Sequence, residues 1–253
     1  MLLVIIFAAN SLNIYSSPLP SLDLYAAALE GGRIKVDVSI SGNPGIAGFK
    51  LTLNFNNSVI VPASILKGSS VPPITLTSNL DGKEDMSALH YVTALVANTS
   101  NWIGNGVLFT VFFDILNEGD LGLSISYSQG DITNQRGEEI NPLTVNVKEE
   151  YVHASSEMSF DGGKVSGSAI VLMSNAGDAF DSFCSLGIYD PLGVLEGFYC
   201  KNLTMPNGYS IILFDDIDVT PKNPALPHTA RLFVWSRQAH SPFTKNTTDW
   251  SIE

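Results

Sequence analysis

The feature that most constrains this 253-residue chain is a succession of short apolar/polar alternations, each closed by Gly, Pro, Asn or Asp. Ile34-Lys-Val-Asp-Val-Ser-Ile40 and Phe49-Lys-Leu-Thr-Leu-Asn-Phe55 repeat with period two, which sends successive side chains to opposite faces of a strand. Phe49, Leu51, Leu53 and Phe55 are therefore expected inward, and Lys50, Thr52 and Asn54 outward. No amphipathic helical period is sustained, so the fold class is all-β, with the strand-and-turn rhythm of sandwiches. Further strands are expected over 59–67, 73–78, 88–97, 106–116, 121–128 and 142–148. The run Val107–Leu116 is apolar at almost every position, as in a central strand covered on both sides.

The pattern lapses at Glu149-Glu150-Tyr-Val-His-Ala-Ser-Ser-Glu157. The expected organisation is a signal segment and linker over 1–21, a first sandwich over 22–150 and a linker over 151–157. A second sandwich of immunoglobulin or fibronectin III type follows over 158–243, then a loose tail over 244–253. Its strands are expected at 164–173, 182–189, 194–201, 209–219 and 229–236, with Trp235 alternating inward with Phe233. Leu2–Ala9 is apolar but far shorter than the roughly 20 residues that cross a bilayer. It matches the core of a secretion signal, although the first basic residue is Arg33; the other reading is a buried N-terminal strand. The expectation is a secreted, extracellular or cell-surface protein with no stable membrane span.

Cys184 and Cys200 flank Asp190-Pro-Leu-Gly193, a type I turn with glycine at the left-handed position. If a three-residue hairpin loop pairs 190 with 194, counting outward pairs 184 with 200, at disulfide range. Two small buried hydrophobes that never oxidise are the competing reading.

The chemistry classes thin out quickly. Thirteen basic against 25 acidic residues give a net charge of −12 without a basic stripe, which argues against nucleic acid. His90, His153, His228 and His240 have no neighbour at metal-ligand spacing. Asp215-Asp-Ile-Asp218 reads as a strand with a wet face more simply than as a calcium site. Neither a phosphate-binding loop nor a nucleophile elbow is written in the chain. No catalytic residue, metal or cofactor is expected, and the chain is read as a binding protein, not an enzyme.

Val36 to Asn56, with its Asn43-Pro-Gly45 turn, resembles the second and third strands of bacterial cohesin domains. The resemblance continues through Val59-Ile60, Lys67-Gly68 and Gly104-Asn-Gly-Val-Leu-Phe-Thr-Val-Phe-Phe113, and closes over Gly130–Ile140 with a last strand to Val147. It implies a cohesin-like jelly roll over about residues 22–150 and a non-catalytic role. Cohesins receive dockerin modules on one flat sheet face, and so assemble polysaccharide-degrading enzymes or surface proteins. The strand at 48–56 would lie in that face, with parts of 88–97 and 104–112. Where the best-known cohesins carry Asn and Asp on this strand, the chain has Gly48 and Lys50, which implies a different partner specificity. Lys50, Thr52, Asn54, His90, Tyr91, Asn101 and Trp102 are the interface candidates, each of which also reads singly as an ordinary solvent-facing side chain. Trp102 stands out as an aromatic in a polar loop. The second block, through Ile188–Leu195 and Arg231–Ser236, resembles a small sandwich module of bacterial surface proteins. The partner is expected to be a dockerin-like module; the alternatives are a polysaccharide, as for a carbohydrate-binding module, or a purely structural spacer role.

Overall fold

The computed structural model describes residues 19–29, 31–73, 75–80, 91–140, 144–147, 152–175, 178–222, 227–236, 241–242 and 248–252. Every regular element among them is a strand. The first half contributes β1 (Ser21–Leu29), β2 (Arg33–Ser41), β3 (Ile46–Asn54), β4 (Ile60–Lys67), β5 (Thr77–Ser78), β6 (Tyr91–Trp102) and β7 (Gly106–Ile115). Short strands β8 (Gly119–Asp120), β9 (Ser124–Ser126), β10 (Ile132–Thr133) and β11 (Thr144–Val147) follow. The second half contributes β12 (Val152–Ser156), β13 (Ser159–Asp161), β14 (Lys164–Asn175), β15 (Phe180–Tyr189) and β16 (Leu195–Met205). It ends with β17 (Gly208–Val219), β18 (His228–Ser236), β19 (Ser241–Pro242) and β20 (Thr248–Ile252).

Two sheets form the first sandwich. The back sheet runs β11-β1-β2-β7-β4, and the front sheet runs β10-β3-β6-β5 with β9 also on β3. Period-two alternation closes them on each other: Phe49, Leu51, Leu53 and Phe55 of the front sheet are buried with Val36, Val38, Phe109, Val111 and Phe113 of the back. Phe49 stacks on Phe109 with centroids 6.2 Å apart, and Phe55 meets Phe113 edge-on at 5.1 Å. Such aromatic pairs add to the area they bury. At the turn before β3, Asn43 Oδ1 accepts the N–H groups of Gly45 and Ile46. A Cβ at Gly68 would lie 1.9 Å from the Val107 carbonyl oxygen, so only glycine lets the turn after β4 approach β7.

The second sandwich pairs an inner sheet, β12-β14-β17-β8 with β13 on β14, with an outer sheet, β16-β15-β18-β19 with β20 on β18. Val171, Met173, Ile212 and Phe214 meet Cys184, Leu186, Leu232 and Val234 between them. Asp215, Asp216 and Asp218 are exposed while Ile217 and Val219 are buried, as the wet-face reading of that run requires.

The two halves are more tightly joined than the sequence suggests. β17 is apolar on both faces: Ile212 and Phe214 fill the second core, whereas Tyr209 and Ile211 belong to the first. β8, from the first half, adds to β17 through Ser210↔Asp120 and Ile211↔Gly119. The buried Tyr209 hydroxyl donates to the Leu24 carbonyl at 3.0 Å. The stretch 151–157, expected as a linker, contains β12, paired with β14 from Val152↔Met173 to Ser156↔Ala169. Likewise the expected loose tail contains β20, paired with β18, and Ile252 is buried. Ladder hydrogen bonds hold both segments, a contribution that polar composition hides.

The disulfide expectation is also corrected. Asp190 and Val194 do close the turn, with the Asp190 N–H donating to the Val194 carbonyl at 3.0 Å. A bulge then shifts the register between Ile188 and Tyr189, so Cys184 faces Lys201 and Ser185 faces Cys200. One residue of slip moves a side chain to the other face. Cys184 is buried, Cys200 is exposed, and both thiols are free.

Candidate protein-binding face

The outward side of the front sheet brings together most of the residues singled out from the sequence. The β3–β6 register sets Gly48 opposite Ala97, Lys50 opposite Leu95, Thr52 opposite Thr93 and Asn54 opposite Tyr91. β5 extends the Lys50 row with Thr77 beside Leu95, and β9 places Ser126 beside Thr52 and Ser124 beside Asn54. β10 adds Thr133 beside Gly48. The result is a face of small hydroxyl and amide side chains with three larger groups standing from it.

Those polar groups are largely satisfied by one another. Asn54 Nδ2 donates to Ser126 Oγ at 3.1 Å and to Ser124 Oγ at 3.3 Å, and the Thr52 and Thr93 hydroxyl oxygens are 3.4 Å apart. Tyr91 and Leu95 are 47% and 42% exposed. Lys50 is exposed and forms no ion pair with any described residue. An ammonium, an aliphatic side chain and a phenol ring are thus the groups that project from it among the described residues. Across this half of the chain the described lysines and arginines nearest in sequence behave differently: Arg33 pairs with Asp114 at 2.7 Å and Lys35 with Asp37 at 2.8 Å.

Gly48 keeps the upper end of the face flat. An added Cβ there would come within 3.1 Å of the Val96 carbonyl oxygen. Just beyond it the ladder jumps from Gly48↔Ala97 to Ile46↔Trp102, so residues 98–101 stand against Ala47 alone, an excess of three. Asn101 uses that excursion structurally: its Oδ1 accepts the Gln135 N–H at 2.6 Å, tying β6 to the loop after β10.

Two of the expected members leave the face. Trp102 is only 9% exposed and packs edge-on against Phe49 with centroids 6.4 Å apart, so it is core and not an exposed anchor. The register jump before it turns its ring inward. The segment 104–112 falls mainly in β7, between β2 and β4 in the back sheet, on the far side of the core. His90 lies outside the described residues. Leu95, Thr93, Ser124 and Ser126 are members that sequence reasoning missed. The two serines sit in a strand of three residues, too short to show alternation, while Thr93 and Leu95 were readable from the period of β6.

Among the described residues no group of three or more His, Cys, Asp or Glu is placed to hold a metal ion. No helix of the described residues is long and apolar enough to cross a membrane.

Residues 26–150 match the family model of the Cohesin domain. Among solved structures the chain is similar to a non-cellulosomal cohesin from the hyperthermophilic archaeon Archaeoglobus fulgidus, at 18% identity and a TM-score of 0.41, over 51% of this chain and 91% of that one. It is similar to a type I cohesin–dockerin complex from Clostridium thermocellum at 15% identity and a TM-score of 0.39, over 51% and 99%. The type II cohesin dyad from an adaptor scaffoldin of Acetivibrio cellulolyticus matches at 11% identity and a TM-score of 0.36, over 88% and 94%. No curated protein matches the chain.

Proposed function

We propose that the first sandwich is a non-catalytic docking module of cohesin type, and that the outer face of β3, β5, β6 and β9 receives a dockerin-like partner. The observation that carries this reading is the face itself: a flat, self-satisfied polar sheet from which, among the described residues, Lys50, Leu95 and Tyr91 project. Desolvating paired hydroxyls and amides costs little when their hydrogen bonds stay within the sheet, so affinity concentrates at the three projecting groups. Gly48 and Lys50 remove the carboxamide and carboxylate that the best-known cohesins offer, and Lys50 reverses the charge. The matching partner presents an acid or a carbonyl cluster to Lys50 and an apolar side chain to Leu95.

The module acts outside the cell, secreted or held at the surface, in adhesion or in assembling polysaccharide-degrading enzymes. The second sandwich, read as an immunoglobulin-like module of bacterial surface proteins, presents the first. The test is capture of dockerin-bearing proteins by the immobilised full chain, read by surface plasmon resonance for wild type, Lys50→Glu and Leu95→Arg. Each variant is expected to weaken binding at least tenfold. Failure to capture any dockerin, or capture indifferent to both substitutions, overturns the reading.

A further inference from the structure

The outer sheet of the second sandwich turns an aromatic face to solvent. In β15 and β18 the buried apolar side chains are Cys184, Leu186, Ile188, Ala230, Leu232 and Val234, so the alternate positions point away from that core, where Ser185 and Gly187 are nonetheless covered. Phe183, Tyr189, Phe198, Arg231, Phe233 and Trp235 share that side. The register sets Phe183 beside Trp235, Ser185 beside Phe233, and Gly187 between Arg231 and Phe198. Trp235 and Phe233 were expected to alternate inward; both belong to the outward phase, because Leu232 and Val234 take the inward one. Phe198 is 55% exposed and Trp235 38%.

The face is low as well as aromatic. A Cβ at Gly187 would lie 2.8 Å from the Tyr189 ring, so that ring lies down across the glycine. The Arg231 guanidinium carbon sits 5.0 Å from the Tyr189 ring centroid, holding it there by a cation–π contact. From the Phe183 row to the Tyr189 row the strip spans about 20 Å, at roughly 3.3 Å per residue. Five aromatic rings on one outward sheet face, two of them exposed, mark a binding surface more often than an idle one.

Charge selects the occupant. The chain carries a net charge of −12, which repels an acidic polymer. Between those two rows the only described carboxylate on the three strands is Glu196 at the bulge, whose Oε2 accepts the Lys222 N–H at 2.7 Å. Across the β18–β20 ladder Asp249 stands opposite Arg231, so a basic partner meets there an acid already set against a cation. A neutral polymer with flat apolar faces meets neither obstacle. Pyranose rings supply such faces in their axial C–H groups, which pack on aromatic rings while equatorial hydroxyls stay in water or reach a guanidinium.

We propose that this face binds a neutral polysaccharide chain, independently of the partner docked on the first sandwich. The test is affinity electrophoresis of the full chain through gels containing hydroxyethylcellulose, xylan or galactomannan, with Phe198→Ala and Trp235→Ala beside wild type. Wild type is expected to be retarded by at least one of the three, and each variant to lose at least tenfold in association constant with an unchanged circular dichroism spectrum. No retardation in any gel, or equal retardation of wild type and both variants, overturns the proposal. Analytical ultracentrifugation supplies the other arm: a dimer that both substitutions dissociate, without retardation in any gel, gives the face to a second copy and overturns it equally. A variant with an altered spectrum is replaced by Phe198→Ser or Trp235→Ser, read the same way.

Discussion

The outer faces of the β3–β6 pair and of the β15–β18 pair arise from the same alternation and end with opposite chemistry. On the first, hydroxyls and amides bond to one another, as Asn54 does to Ser124 and Ser126. On the second, Tyr189 lies flat over Gly187 and Phe198 and Trp235 stand in water. Their inner faces are alike in kind, both apolar and buried. The contrast teaches that the inward phase of a strand specifies the sandwich, while the outward phase is free to specify what the sandwich meets. A polar, self-paired face releases little on desolvation and depends on a few projecting groups. An aromatic face gains from every Å² it covers, by about 25 cal/mol.

The largest effects test whether the inner faces are truly alike. Leu51→Ala and Leu186→Ala each empty a fully buried site, one under each outer face. Both are expected to lose about 2–5 kcal/mol of unfolding free energy, the range for deleting a buried leucine side chain. Urea unfolding measures it. A loss under about 1 kcal/mol at either site would show that one core closes over the gap and that the two inner faces differ after all.

The next effect separates the two regions by pH. Burial, reinforced by the neighbouring Cys200 and opposed by Lys201, pushes the Cys184 thiol from 9.0 up to about 12. Its folded value lies above its unfolded one, so the stability it supports is whole below pH 9 and is lost as pH rises from 9 towards 12. Across that window the unfolded chain ionises first and the native state holds the extra proton, a slope of about 1.4 kcal/mol per pH unit at most. The expected result is an alkaline fall in melting temperature that Cys184→Ala flattens between pH 9 and 10.5. An identical slope in wild type and Cys184→Ala would remove the thiol from the account.

How much of this was legible in the sequence follows from where one strand's information suffices. The inward set Phe49, Leu51, Leu53 and Phe55, the outward set Lys50, Thr52 and Asn54, and the Asn43-Pro-Gly45 turn are local patterns, and the structure reproduces them. Register across strands is not local. The bulge near Tyr189 undid the Cys184–Cys200 pairing, and the three-residue excess between Ala97 and Trp102 took Trp102 into the core. Membership of a face is less legible still: the resemblance sets 104–112 beside 88–97, and only the assembled sheets part them. β12 and β20 were hidden by polar composition, since their ladder hydrogen bonds need no apolar side chain.

A smaller effect asks whether the polar face is held by its own bonds. Asn54→Ala removes the donor shared by Ser124 and Ser126. Because the face is open to water, the serines regain partners there, and the expected cost is about 1 kcal/mol. Urea unfolding reads it directly, and a cost above about 2 kcal/mol would mean the face is buried by something the sheet itself provides.

The smallest effect on stability carries the sharpest contrast in binding. Lys50 is exposed and its ammonium touches no described carboxylate, so Lys50→Ala is expected to change unfolding free energy by less than about 0.5 kcal/mol. On the proposed docking face it would steer an acidic partner towards a chain of net charge −12. Charge at a rim acts on encounter, so Lys50→Ala is expected to slow association with an acidic partner, by a factor that shrinks as salt shortens the screening length. Leu95→Ala deletes contact area and is expected to speed dissociation, with no salt dependence. On the aromatic face neither substitution should alter polysaccharide retardation. Surface plasmon resonance at 50 and 500 mM NaCl resolves the two phases. If Lys50→Ala alters only dissociation, at both salt concentrations alike, then Lys50 works as a buried contact, and the difference drawn between a steering face and a stacking face fails at its most exposed residue.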